Sequence, residues 1–305
     1  MRQIITFSII GILALLILGI DGCQKTETVV NTEGIEMSFV ANAPPDSVMV
    51  NQEFPIYVDV LNKGSSNLNS GDAKFYLSGI GYDLKNVEKS VSNTRFLSGQ
   101  STIPERLVFA KNARWTTPLE NSFPLYLILT GCYNYGSASQ VDVCVSNKNS
   151  TTLCSISGEK IKSNSNNAAP IQVTSVTEKL EGSKLQIIIL LENKKIAQVA
   201  PSHVYLVDTD CDKILTGNPD EMQKENKVKA IIRTGAEPGW VCKLQSKDVP
   251  YAPTTALEGV VTLEPVGKIV CEKNVQSEDT HMMPLTVSLL YRYSDSITKT
   301  VRIAP

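Results

Sequence analysis

From Ile35 onward, period-two patterns dominate this chain and leave little room for helix. Residues 54 to 60 read FPIYVDV, with Phe54, Ile56, Val58 and Val60 on one face. A period of two over such a length places successive side chains on opposite faces of a half-buried strand. The same pattern predicts strands at 35–41, 73–78, 82–88, 105–110, 123–130 and 139–145, then at 171–177, 184–192, 203–207, 227–233, 256–264, 267–272, 284–292 and 296–303. Pro44-Pro45-Asp46 and Asn62-Lys63-Gly64-Ser65-Ser66 supply turn chemistry between them. Pro124 heads its strand, where a missing amide proton costs least. Asn218-Pro219-Asp220-Glu221 carries the one capping pattern, with Asn at N-cap and Pro at N1, and predicts a short helix to about Asn226. Without long amphipathic helices there are no βαβ units and no nucleotide site of that kind. Short strands separated by turns point to a mostly β fold, two tandem Ig-like β-sandwich domains after an N-terminal apolar helix.

The two halves resemble repeats. Phe54, Ile56, Val58, Val60 and Asn62-Lys63 reappear as Leu185, Ile187, Ile189, Leu191 and Asn193-Lys194 at a constant offset of 131. Pro124-Leu125-Tyr126-Leu127 followed by Tyr133 and Tyr135 is matched by Pro284-Leu285-Thr286-Val287 followed by Tyr291 and Tyr293. Between the halves, residues 157 to 169 (SGEKIKSNSNNAA) are polar and read as a linker. The expected organisation is a signal peptide or membrane anchor at 1–23, a tether at 24–34, sandwich domains at 35–156 and 170–305, and the linker at 157–169.

Residues 4 to 20, IITFSIIGILALLILGI, contain no charge and follow Arg2. The run lies between the apolar core of a signal peptide and a full membrane span. Gly22-Cys23 resembles a lipobox, although Asp21 departs from it, which makes Cys23 a candidate for lipidation. An uncleaved helix, a lipid anchor and free secretion all place residues 24 to 305 outside the cytoplasm. An uncleaved helix leaves Arg2 on the inner side. The expected location is therefore the extracytoplasmic face of the cell membrane, with a single N-terminal anchor.

Export gives the cysteines meaning. Apart from Cys23 there are six: Cys132, Cys144, Cys154, Cys211, Cys242 and Cys271. In an oxidising compartment these read as disulfides. Cys132–Cys144 across the segment YNYGSASQ, Cys242–Cys271 in the second half and Cys154–Cys211 between the halves are the expected pairs. Full pairing requires at least one bridge across the halves, since each holds three. The spacings lack the close pairs of a zinc site and any CxxC.

Chemistry is sparse. Lys plus Arg is 29 and Asp plus Glu is 31, which excludes a polybasic nucleic-acid binder. The 2 histidines, His203 and His281, are the candidate bases of a hydrolase, but no G-x-S-x-G elbow accompanies them. His281-Met282-Met283 cannot all point one way on a strand, which argues against a soft-metal site. Asp208, Asp210 and Asp212 lack the spacing of a calcium loop and read as a solvated acidic turn. No catalytic, metal or cofactor residue is assigned, and no cofactor is expected. Asn149-Ser150-Thr151 is the only sequon, making Asn149 a candidate glycosylation site. Tyr133, Tyr135, Trp115 and Trp240 are placed in or next to turns.

Residues 34 to 46, GIEMSFVANAPPD, resemble the start of hypothetical surface proteins of small-genome archaea. The strand and turn IYVDVLNKGS at 56–65 is similar to the signature strand of CARDB-type Ig-like adhesion modules. AAPIQVTSV at 168–176 and YRYSDSITKTVRI at 291–303 resemble the same archaeal group, while Lys194-Lys195 departs from the Lys-Gly of the motif. The resemblance implies cell-surface β-sandwiches without catalytic residues. The expected function is a membrane-anchored adhesion, scaffold or envelope component, not an enzyme. Its expected partners are the membrane, through the N-terminal segment, and other surface proteins or glycans, with no nucleic acid. The alternatives are an extracytoplasmic solute- or glycan-binding protein, with Trp115 or Trp240 in a pocket, and a secreted hydrolase.

Overall fold

A computed structural model describes residues 32–149, 151–195, 202–235, 238–244, 257–276 and 280–305. Cys23, the apolar run and most of the expected tether lie outside the described residues, as does Ser150 of the sequon. Within them the chain forms, in order, β1 (Ile35–Phe39), β2 (Ser47–Met49), β3 (Glu53–Asn62), β4 (Ala73–Ser78), β5 (Leu84–Lys85), β6 (Ser90–Ser92), β7 (Glu105–Trp115) and β8 (Phe123–Ser146). The second half follows with β9 (Ile171–Glu181), β10 (Lys184–Asn193), β11 (His203–Leu206), α1 (Cys211–Leu215), α2 (Pro219–Met222), β12 (Lys227–Arg233), β13 (Val241–Leu244), β14 (Glu258–Thr262), β15 (Val266–Asn274) and β16 (Thr280–Ala304). The molecule is mostly β, arranged in several antiparallel sheets.

The long strands β8 and β16 organise it. They pair antiparallel without interruption from Phe123–Ile303 to Ser146–Thr280, with Asn134 opposite Arg292 at the middle. A ladder of 24 residues spans about 80 Å at the usual rise per residue. Around it the large sheet runs β14-β12-β16-β8-β4-β6, with β11 and β2 also paired to β16. Two four-stranded sheets, β1-β3-β7-β5 and β9-β10-β15-β13, complete the fold. Their strand orders match element by element. β4 and β6 flank β8 as β12 and β14 flank β16, with Lys74 opposite Cys132 and Lys229 opposite Leu290. The start of β8 lies beside β4 of the first half, and its end lies among strands of the second. β16 does the reverse. Each half therefore lends one long strand to the other.

The core follows from the alternation. Phe54, Ile56, Val58 and Val60 of β3 are buried, as are Leu185, Ile187, Ile189 and Leu191 of β10. They join Leu125, Leu127, Leu129, Leu285, Val287 and Leu289 of the long strands in one cluster that runs through both halves. Side chains press on the middle of β8, where a Cβ at Gly131 would lie 2.8 Å from Met37 Sδ and 3.2 Å from the Phe75 ring.

Several expectations change. The strands expected at 123–130 and 139–145 are one strand, and so are those at 284–292 and 296–303. The segment YNYGSASQ at 133–140 reads as a loop, yet Tyr133, Tyr135, Ser137, Ser139 and Val141 continue the buried side of the alternation. The expected hairpin around YNYGSASQ is absent, and the expected Cys132–Cys144 bridge is impossible. Those cysteines sit twelve residues apart along one extended strand, far beyond disulfide reach. Cys132 bonds Cys211, Cys144 bonds Cys154, and Cys242 bonds Cys271. The bridge joining the halves is therefore Cys132–Cys211, not the expected Cys154–Cys211, while Cys242–Cys271 is as expected. The expected helix stops at Met222, with Asn218 Oδ1 accepting from the amides of Asp220 and Glu221. A second helical turn, α1, was not expected, and Asp210 caps it.

Residues 157–169 are laid along β8 and β9. Gln140 N donates to Ser165 O, Asn167 N to Ala138 O and Lys160 N to Val176 O. Among the described residues no helix is long and apolar enough to cross a membrane.

Candidate functional site

The waist where the halves meet concentrates the polar chemistry. On the inner face of the large sheet, Tyr133, Tyr135, Tyr291 and Tyr293 pack together, with ring centroids 5.7 to 6.3 Å apart. Their hydroxyls do matching work in the two halves. Tyr133 accepts from Ile35 N at 3.1 Å, and Tyr291 from Ile171 N at 3.4 Å. Tyr135 donates to Asn62 Oδ1 at 3.1 Å, and Tyr293 to Asn193 Oδ1 at 3.5 Å. Each pair thus fixes the first amide of one outer strand and the terminal Asn of its neighbour. Burial pushes all four phenols well above the usual tyrosine range, so they stay protonated. Tyr133 and Tyr135 were expected in or next to turns, and Tyr291 in a strand. All four are strand residues at the centre of the molecule, and the repeated Tyr-x-Tyr and Asn-Lys pairs are the sequence signal of that role.

The second half carries an insertion, β11–α1–α2: β11 pairs beside β16 in the large sheet, and α1 sits over the opposite face of the same strands. Cys211 on α1 bonds Cys132 on β8. Asp212 binds both Lys74 and Tyr76 of β4. Arg292, opposite Asn134, reaches Cys211 Sγ at 3.0 Å and Val207 O at 3.5 Å. Burial lowers the Arg292 pKa against the pull of Asp210. The hydrogen bonds from Lys74 and Tyr76 hold Asp212 below the usual carboxylate range. These contacts fasten the insertion over the waist.

The expected acidic turn divides its carboxylates. Asp208 pairs with Lys224 at 3.5 Å, Asp210 caps α1 by accepting from Asp212 N at 2.9 Å, and Asp212 turns to β4. Among the described residues no group of three His, Cys, Asp or Glu is arranged to hold a metal ion. Met282 is exposed and Met283 buried, on opposite faces of β16.

His203 Nδ1 lies 2.6 Å from Glu225 Oε1. The pair is an imidazole beside a carboxylate, and among the described residues no hydroxyl or thiol is hydrogen-bonded to His203. His281 sits opposite Val145 in the β8–β16 ladder, with Cys154 Sγ 3.7 Å from its carbonyl oxygen. Trp115 is buried edge-on against Phe123 at 4.9 Å and donates to Thr117 O. Trp240 is buried with Lys273 Nζ 6.0 Å from its ring centre.

A shallow polar groove of about 530 Å³ runs beside Cys144–Cys154, lined by Asp142, Glu159, Lys160, Lys162 and Asn164 among others. Sequence reasoning missed its two organising carboxylates. Glu178, fully buried on β9, accepts from Cys144 N at 2.7 Å and pairs with Lys160 at 2.8 Å. Burial still keeps its pKa above the usual value. Glu159 accepts from the amides of Lys160, Ile161 and Val176 and from Ser175 Oγ. Both tie the expected linker to β9. Asn149 is exposed in the loop that the Cys144–Cys154 bridge closes, and its carbonyl accepts from Ile156 N.

No family model matches this chain, and no curated protein does. A solved structure to which it is similar, the secreted serine protease VesC from Vibrio cholerae, is 11% identical and aligns over 84% of this chain and 49% of that one, with a TM-score of 0.18. The chain thus spans about half the length of that protein, and a likeness this low carries no argument about fold or activity.

Proposed function

We propose that this protein is a membrane-anchored adhesion, scaffold or envelope component outside the cytoplasm, built from two Ig-like β-sandwich modules and acting without catalysis. The observation that carries this reading is the pairing of all six cysteines after Cys23 into three disulfides, one of which joins the halves. Three such bonds suit an oxidising compartment. The apolar run at 4–20 supplies the route there, with the membrane as first partner and other surface proteins or glycans as the next. Cys23 is the proposed lipidation site if the leader is cleaved, and Asn149 the proposed glycosylation site. A solute- or glycan-binding role gains no support from Trp115 and Trp240, which are packed inside. A hydrolase gains none from His203 and Glu225 alone.

Fractionation of native cells, combined with protease treatment of intact cells, tests the location. The protein is expected in the membrane fraction and accessible from outside. Recovery from the cytosol, shielded from protease, overturns the reading. Crosslinking on intact cells followed by detergent extraction then identifies the partner.

A further inference from the structure

We infer that the anchored protein lies side-on to the membrane, held at its waist, with both modules at similar height and the β11–α1–α2 insertion facing away from the lipid. The inference rests on the anchoring proposed above. The described chain begins at Thr32 and enters β1 beside the middle of the β8–β16 ladder, not at either end. Gly34 O accepts from Lys63 N and Gly64 N, and Ile35 N donates to Tyr133, next to the central Asn134–Arg292 pair. A Cβ at Gly34 would lie 3.3 Å from Pro170 Cγ, so the entries to β1 and β9 meet at this point.

Chain length sets the orientation. Thr32 lies nine positions after Cys23 and twelve after Ile20. Whatever their conformation, these stretches reach at most about 30 and about 40 Å. Standing on one end, the molecule would hold its waist about 40 Å above the surface, half the ladder, before any loop at the tip is added. A lipid on Cys23 cannot span that gap. A helix ending at Ile20 would span it only at full extension. Lying flat satisfies both anchors with slack. The face follows from the alternation of β8 and β16. The tyrosines that hold the entry strands point to one side of the large sheet. Cys132 and Arg292, which hold the insertion, point to the other.

The test uses the full chain in phosphatidylcholine vesicles carrying a trace of headgroup-linked acceptor dye. A fluorescent non-canonical residue is placed at Tyr82 near the tip of the first module, at Ser183 in the β9–β10 turn of the second, or at Lys213 on α1. All three positions are exposed. Flotation with the vesicles is measured first. Energy transfer is expected to be comparable from positions 82 and 183 and weaker from 213. A Gly-Ser spacer of about 60 residues, spanning about 40 Å on average, inserted between Val30 and Asn31 is expected to lower all three signals and shrink the differences. Strong transfer from one tip with loss at the other means an end-on molecule and overturns the inference. Strongest transfer from 213 overturns the assigned face. Failure to float removes the anchoring itself, and the orientation falls with it.

Discussion

Replacing Asn62 by alanine should unfold the first half far more readily than the matching change at Asn193 unfolds the second. Asn62 is fully buried at the end of β3. Its Nδ2 donates to Ser66 O at 2.6 Å and Leu97 O at 3.2 Å, and its Oδ1 accepts from Tyr135 at 3.1 Å. Three net hydrogen bonds are worth roughly 1.5–4.5 kcal/mol together, and stranding the buried Tyr135 hydroxyl adds about 1–3 kcal/mol. We expect Asn62→Ala to cost about 3–6 kcal/mol. Asn193 accepts only from Tyr293 at 3.5 Å and Lys195 N at 3.2 Å, and it is partly exposed. Its loss should cost about 1–2 kcal/mol. Urea unfolding followed by tryptophan fluorescence reads both changes, because Trp115 lies in the first half and Trp240 in the second, both buried. Pairing Asn62→Ala with Tyr135→Phe should recover part of the loss, since the stranded hydroxyl is then gone. Equal costs at the two positions, or a cost under about 1 kcal/mol at Asn62, would refute the reasoning.

Three further outcomes follow from the same structure. Removing Cys132–Cys211 as a double alanine variant should destabilise most, at about 4.5 kcal/mol from loop-closure entropy, against about 3.5 for Cys242–Cys271 and about 2.7 for Cys144–Cys154. Those bridges close separations of 79, 29 and 10 residues, and denaturant midpoints give the ranking. Gly64→Ala should cost about 3 kcal/mol or more, because its Cβ would lie 1.9 Å from Tyr135 Oη and 2.6 Å from Glu33 O; thermal unfolding checks it. Although burial opposes it, the hydrogen bonds from Ser175, Ile161, Val176 and Lys160 hold Glu159 below its ordinary 4.5. That contribution is present above pH 4.5 and is lost as pH falls through the lower folded value. Glu159→Gln should therefore lower stability at neutral pH and flatten the acid limb of a stability-versus-pH curve; an unchanged acid limb would refute this.

The strands were legible because a half-buried sheet writes itself as a period of two, and the burial of β3 and β10 follows it, although Ile188 and Leu190 put apolar residues on the outer side of β10 as well. The Asn218 cap was legible because its chemistry is local. The continuity of β8 and β16 was not. Gly136, Ser137 and Ser139 look like turn residues, but pairing with Leu290, Leu289 and Val287 of β16, distant in sequence, holds them in the strand. That single misreading displaced two of the three disulfides. Arg292, Glu178 and Asn62 were invisible as organising residues, because only folding brings Cys211, Cys144 and Tyr135 to them. The repeated Tyr-x-Tyr and Asn-Lys pairs were visible as a pattern, while their hydrogen bonds were not.

Non-reducing peptide mapping of the protein isolated from native membranes tests the central claim most directly, that this chain works as a disulfide-braced component outside the cytoplasm. The account predicts the linked peptides Cys132–Cys211, Cys144–Cys154 and Cys242–Cys271, with no free thiol among the six. Fully reduced cysteines at these positions would contradict it.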